Sequence, residues 1–473
     1  MRLRLTLLAG FSLLAGCAVG PTYRRPTIDA PATFRGQAAP DTASLADADW
    51  WDLYHDPVLA ALIRGSFEHG FDARIAAARV EQSRAIAMQA HGSLFPALGY
   101  VGDAFRGRNS LLGNPDPAAG GATANTFAPF LSAAWEPDIW GRLRRLDEVA
   151  RNHYLETEEG RRGVLLSLVA EVAGDYFQLL EEDDELAIAR EATASFGQSL
   201  RLFNQRLAGG VASRLETASA EAAEAAEAAQ IPKLEQAIAL TENQISVLLG
   251  QNPGPIARGT ALAVHAATPN PPAGIPSALL ERRPDVRQAE YAAKAANAQI
   301  GATIGTFLPR FGLSAALGGA SENLQNVFLS KDRLWSIGAQ VTGPVFQPYT
   351  LRGEYLQAKA AWELAKLQYE QTALSAFADV SNALVTRQKL GKVRVQQERA
   401  VRAYRDAVKV AFQRYRAGEA GYYELLQVQQ ELYPSEVALA QTRRDELISI
   451  VQLYKALGGG WNLGPSAQPL AKR

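Results

Sequence analysis

The sequence predicts a mainly α chain with a smaller β portion suited to a membrane barrel, built by duplication. Three observations carry this. Asp72-Ala73-Arg74 opens an alanine-rich helical run that ends at Leu94-Phe95-Pro96. Asp285-Val286-Arg287 opens a second that ends at Phe307-Leu308-Pro309, 213 positions further on throughout, and Gly92 and Gly99 match Gly305 and Gly312 at the same offset. After each Pro come strand-like stretches and then a helical run far longer than globular helices usually are. A repeated helix–strand–strand–helix unit suits a tube and does not suit an enzyme pocket.

The start of the chain reads as an export signal. Arg2 and Arg4 precede the apolar run Leu5 to Ala15, and Leu14-Ala15-Gly16-Cys17 follows. Residues 1–16 are therefore expected to be a signal peptide, too short and wrongly flanked for a membrane span. Small residues before a cysteine resemble the bacterial lipobox, which makes Cys17 a lipidation (palmitate) site and the first mature residue. The alternative is an ordinary signal with a chance cysteine. Ala18, in place of an Asp, fits sorting to the outer membrane. Acyl chains anchor a protein without a spanning helix. With Cys17 alone there is no intramolecular disulfide and no cysteine-rich zinc site.

Residues 17–55 read as a lipidated, extended N-terminal arm, with Trp50, Trp51 and Tyr54 expected to dock it. Asp56-Pro57 marks a helix start, with Asp as N-cap and Pro in the first turn. One helix is expected from there to about Ser93. Residues 94–107 and 125–138 read as strands around an exposed loop. In the second half, Phe311, Leu313, Ala315 and Leu317 alternate with Gly312, Ser314, Ala316 and Gly318. Trp335, Ile337, Ala339 and Val341 alternate with Ser336, Gly338, Gln340 and Thr342. This period of two fits a barrel with a lipid side and a wet side, and equally a soluble hairpin over a core. No later stretch offers the roughly 18 consecutive apolar residues of a spanning helix, so any crossing must be by strands in a closed barrel.

The second helices, from Gly141 to about Ala208 and from Leu351 to about Ala417, contain no proline. Apolar residues recur every three or four positions, as in a coiled coil. Each helix stops at glycine, Gly209-Gly210 or Gly418, before a returning helix. Pro232 and Pro434 predict a kink or break in the two returning helices. The expected organisation is a first structural repeat at 56–250, a linker at 251–276, a second repeat at 277–460 and a tail at 461–473.

Charge and residue usage exclude several functions. The net charge of −1 gives no basic surplus for nucleic acid. The five histidines are scattered without metal-ligand spacing. No catalytic, cofactor-binding or metal-binding constellation is expected, and the glycines at 458–460 lack a preceding strand and a phosphate-loop Lys.

The order of motifs resembles a known family. The lipobox, Gly20-Pro21-Thr22-Tyr23-Arg24-Arg25-Pro26, Trp135-Glu136-Pro137-Asp138-Ile139-Trp140-Gly141-Arg142, Glu281-Arg282-Arg283-Pro284-Asp285-Val286-Arg287 and Leu453-Tyr454-Lys455-Ala456-Leu457-Gly458-Gly459-Gly460-Trp461 follow one another as in the TolC-like outer-membrane efflux factors, NodT-type lipoprotein branch. The resemblance implies a homotrimer. Each subunit would give four strands to a twelve-stranded barrel among outer-membrane lipid, above a periplasmic α-helical tube. The tube would receive small-molecule export substrates from an inner-membrane pump through a periplasmic adaptor (membrane fusion) protein.

The same resemblance places a periplasmic entrance, or gate, at Tyr415, Tyr423, Glu424 and Gln427. It puts helix-tip turns at Gly209, Gly210 and Gly418 and strand–helix junctions at Pro96, Pro137, Pro309 and Pro344. Two departures stand out. Phe346-Gln347-Pro348-Tyr349-Thr350 replaces the family's Asp-Gly-Gly-Arg-like turn, and the family's tip aspartates fall on Glu424 and neutral Gln427. The rival expectation is a structural periplasmic coiled-coil lipoprotein scaffold whose strands form a soluble sandwich.

Overall fold

The computed structural model describes residues 18–37, 43–47, 54–108, 110–111, 114–115, 123–265 and 272–459. Cys17, Trp50, Trp51 and the tail at 461–473 lie outside the described residues, as does most of the loop after residue 108.

Helix α1 (Pro57–His69) starts where expected. The Asp56 carboxylate accepts from the backbone N–H of Val58 at 2.8 Å and Leu59 at 3.2 Å, and Pro57 takes the first helical position. The single helix expected to run to Ser93 is instead two, because α2 (Phe71–Gly92) begins after a break at Gly70. Gly70 turns to ψ 137°, and a Cβ there would lie 2.3 Å from the Ser66 carbonyl oxygen and 2.6 Å from that of Leu248. Only glycine permits this close approach.

Strands β1 (Ala97–Arg108) and β2 (Thr123–Trp135) follow, then the 67-residue α3 (Arg142–Ala208). At 1.5 Å per residue α3 runs to ~100 Å. It holds an 18-residue stretch of mean hydropathy 1.4, 61% of it buried, which marks a core helix rather than a span. The return consists of α4 (Arg214–Ala228) and α5 (Gln230–Leu248). Their break at Ala229 follows from Pro232, whose missing N–H would have bonded the Ala228 carbonyl.

The second half repeats the order. It comprises α6 (Pro284–Gly305), β3 (Arg310–Gly319), β4 (Arg333–Thr342), the 70-residue α7 (Pro348–Ala417) and α8 (Tyr422–Ala456). The break expected at Pro434 does not occur, and α8 is uninterrupted. Pro434 is exposed, while Leu432, Tyr433 and Glu436 on either side are buried, so packing holds both flanks helical. Both long helices stop alike. Gly210 (φ 74°) and Gly418 (φ 79°) adopt the left-handed conformation, and Val211 N–H and Glu419 N–H each donate back to a carbonyl five residues earlier at 2.9 Å.

The chain forms two compact units. The first comprises Met1–Thr27, Val80–Thr157 and Gln288–Glu370 and holds one antiparallel sheet in the order β1-β2-β3-β4. The halves of the duplication meet in this sheet, where β2 pairs with β3 from Phe130↔Gly318 to Trp135↔Leu313. Among the described residues, the outer edges of β1 and β4 have no strand partner. The arm is fixed here: Val19 N–H donates to the Trp140 carbonyl (2.9 Å), and Arg25 pairs with Glu290 (2.8 Å).

The second unit comprises Ile28–Arg79, Glu158–Arg287 and Gln371–Arg473. Its main core gathers Ile63, Tyr176, Phe177, Leu447, Val451 and Tyr454. Asp56 ties the linker to it. Its Oδ2 accepts from Tyr176 O–H (3.0 Å) and Thr260 N–H (3.2 Å), with His265 Nε2 at 3.4 Å. Tyr54 docks the end of the arm by donating to the Leu447 carbonyl at 2.6 Å.

The acidic face of α3 in this unit carries a cost. Burial, with Glu171 next, pushes Asp175 up to about 6, while burial and the neighbouring Glu185 carboxyl raise Glu181. An acid whose folded pKa lies above its unfolded value loses stability as pH rises between the two. For Asp175 that window runs from the ordinary aspartate value of 3.8 to about 6. Asp175→Asn is expected to raise the thermal midpoint at pH 7.5 by a few degrees and leave it unchanged near pH 3.5, read by circular dichroism. Equal effects at both pH values would refute this account.

Candidate functional site

Residues paired across an antiparallel sheet share a face. One row runs Tyr100, Leu131, Leu317, Trp335 straight across the four strands, and the next runs Leu98, Ala133, Ala315, Ile337. The opposite face carries the rows Gly99, Ser132, Ala316, Ser336 and Ala97, Ala134, Ser314, Gly338. In these rows one face is apolar and bulky, while the other carries only Gly, Ala and Ser.

Apart from Thr126 and Ala128 in β2 and Gly319 at the end of β3, both faces are partly or fully exposed within the protomer. All ten residues of β4 are exposed, and Leu98, Tyr100 and Ile337 are 84%, 87% and 79% exposed. A soluble sandwich must bury one face, so the scaffold alternative fails at the sheet. Strands of 10 to 13 residues meet the ~9–11 needed to cross a bilayer at a tilt. An apolar wall with two open edges is stable in lipid only when closed into a barrel.

The junction prolines frame this wall. Pro96 and Pro309 immediately precede β1 and β3, while Pro137 and Pro344 follow β2 and β4. Trp135 Nε1 donates to the Leu94 carbonyl (3.0 Å) and Trp140 Nε1 to the Pro309 carbonyl (2.9 Å), tying strand ends to neighbouring turns. Asp138 caps α3 by accepting from the N–H of Leu143 (3.0 Å) and Arg144 (2.8 Å). Among the described residues, no carboxylate cap is seen at the second junction. Val345, Phe346 and Tyr349 stand almost fully exposed there.

At the helix tips of the second unit, Phe203, Tyr415, Tyr422 and Leu425 form a buried cluster. Tyr415 is part of this packing. Its ring lies against Phe203 (centroids 5.0 Å apart), and the Arg206 guanidinium sits over it at 4.6 Å. Tyr423, Glu424 and Gln427 share an exposed face at the start of α8. Glu424 is held by the Arg414 guanidinium. Gly209 and Gly210 close the first hairpin and Gly418 the second.

Arg206 and Arg414 escaped the reading of the sequence. The signal was available, because they are equivalent positions of the duplication, each four residues before its left-handed glycine.

The fold and this wall define an outer-membrane channel. The outer membrane efflux protein profile matches residues 66–251 and 275–459, and the chain belongs to that family. The solvent efflux pump outer membrane protein SrpC of Pseudomonas putida is 34% identical over 459 residues, covering 95% of this chain and 97% of the relative. Among solved structures, the outer-membrane channel OprN matches with TM-score 0.87 and 30% identity, covering 94% of this chain and all of that one. The open-state MtrE channel of Neisseria gonorrhoeae matches with TM-score 0.85 and 28% identity, covering 94% and 99%. The chain is therefore an outer-membrane efflux channel subunit, and three copies close the twelve-stranded barrel and form the helical tube.

Proposed function

We propose that this chain is the passive export duct of a tripartite efflux system and catalyses no reaction. The apolar four-strand wall on a chain otherwise made of long helical hairpins is the observation that carries this reading. A periplasmic adaptor and an inner-membrane pump would deliver cargo to the helical end. Relatives named for solvent, toluene and antibiotic efflux point to small organic molecules. Residues 1–16 act as the signal peptide and Cys17 as the lipid anchor, with the arm at 17–55, repeats at 56–250 and 277–460, the linker at 251–276 and the tail at 461–473. The family profile, which breaks between residues 251 and 275, supports this division.

The duct is gated at the tips. Tyr423, Glu424 and Gln427 line the constriction of the trimer, and Tyr415 latches it from within by holding the two hairpins of one protomer together. A closed tip opens when a partner binds the open state more tightly. The double substitution Glu424→Ala and Gln427→Ala is expected to raise single-channel conductance in planar bilayers. Unchanged conductance in correctly assembled trimers would place the constriction elsewhere.

A further inference from the structure

We propose that Arg414 sets the charge selectivity of the duct's entrance by neutralising Glu424 within its own protomer. The inference rests on the entrance reading above and concerns what that entrance selects.

Glu424 is the only carboxylate among Tyr423, Glu424 and Gln427. Three copies would place three negative charges around the constriction. The structure supplies a counter-charge for each. Arg414 Nη1 bonds to Glu424 Oε1, and Arg414 Nη2 lies 3.4 Å from the Glu419 carbonyl. The hairpin makes this pairing possible, since Arg414 occupies the last turn of α7 and Glu424 the first turn of α8, with the Gly418 turn between. Each charge also sits at the helix end that favours its sign, the cation at a C-terminus and the anion at an N-terminus.

The pair is solvent-exposed, with side chains 46% and 44% accessible, so it adds little to stability. Its consequence is electrostatic. Two opposite charges in contact have a field that falls off much faster than that of a lone carboxylate, which reaches about 8 Å at physiological salt. The other hairpin offers the contrast. Arg206, the repeat equivalent of Arg414, turns onto the Tyr415 ring and donates to the Tyr415 carbonyl at 3.0 Å. The duplication thus has one arginine spent on packing and one on an entrance carboxylate.

The test is the reversal potential of trimers in planar bilayers under a tenfold KCl gradient. The wild type is expected to discriminate weakly between K+ and Cl−. Arg414→Gln should raise the K+/Cl− permeability ratio at least threefold, and Arg414→Lys, which keeps the charge, should hold it near the wild-type value. Glu424→Gln should shift the ratio toward Cl−, and Arg414→Gln with Glu424→Gln should restore weak selectivity. A shift with Glu424→Gln but none with Arg414→Gln would overturn the neutralisation and leave the entrance intact. No shift with either variant would overturn both readings. Glu424→Gln retains an exposed polar side chain, so it supplies a second arm if Arg414→Gln fails to assemble.

Discussion

Ile337→Arg is expected to abolish the assembled channel. Ile337 stands at the middle of β4 and is 79% exposed in the protomer. At an exposed site on a soluble protein such a change costs within about 0.5 kcal/mol. On a barrel wall, a charge at the bilayer midplane costs about 2–4 kcal/mol, and a trimer carries it three times. Neighbouring rows give the guanidinium no anion to meet, since Ala315 lies opposite and Leu317 and Trp335 make up the next row. Gln340→Lys, on the other face of the same strand, should assemble normally because it meets water in the lumen. The measurement is heat-modifiable trimer migration from isolated outer membranes. Wild-type amounts of Ile337→Arg trimer would mean that this face does not touch lipid.

Asp56→Ala is expected to cost roughly 3–7 kcal/mol: about 1 for the lost N-cap, and about 1–3 for each of the two buried donors left without an acceptor. The donors are Tyr176 O–H and Thr260 N–H. Burial alone would raise the Asp56 pKa, but hydrogen bonds from Leu59, Thr260, Tyr176 and Val58 outweigh it and hold the carboxyl below the usual carboxylate range. A depressed pKa means the stabilisation is present at neutral pH and is lost as pH falls through it. Urea unfolding followed by helical circular dichroism should show the lower midpoint. Protease should also cut residues 251–265 earlier, since the linker loses its tie to the core. A variant with an unchanged midpoint and unchanged cleavage would show that Asp56 does not hold the linker.

These two residues were unequally legible in the sequence. Ile337 could be placed on the apolar side of its strand from alternation alone, because a period of two is a local property. Whether that side faced lipid or a soluble core could not be decided locally. It took the register, which lines up Tyr100, Leu131, Leu317 and Trp335 from four strands and two repeats, and the exposure of both faces. Asp56 was recognisable as an N-cap from the Pro that follows it. Its bonds to Tyr176 and Thr260, 120 and 204 positions away, leave no trace in the sequence.

Helix punctuation divides along the same line. Gly210 and Gly418 were readable because a left-handed stop is written in a single residue. The Gly70 break was not, because the need for glycine there comes partly from the Leu248 carbonyl, which is far away in sequence and would meet a Cβ at 2.6 Å. Pro434 does not break its helix, because the buried flanks at Leu432, Tyr433 and Glu436 override proline's local preference. At the proposed entrance, the family resemblance pointed to Glu424, whereas Arg414 was marked only by its equivalence to Arg206 in the duplication.

The unpaired outer edges of β1 and β4 bear on how the molecule reaches its destination. A lone protomer with its strands already formed would expose bare backbone donors and acceptors beside a greasy face, the combination that seeds sheet-to-sheet aggregation. The strands are therefore best left unfolded during transit. Helical hairpins, stabilised by contacts within one chain, can form early, whereas the barrel gains its stability only when three chains meet at a bilayer. Formation of the finished barrel then depends on subunit concentration more steeply than folding of a single chain does. A modest fall in expression should deplete finished channels more steeply than it depletes the polypeptide.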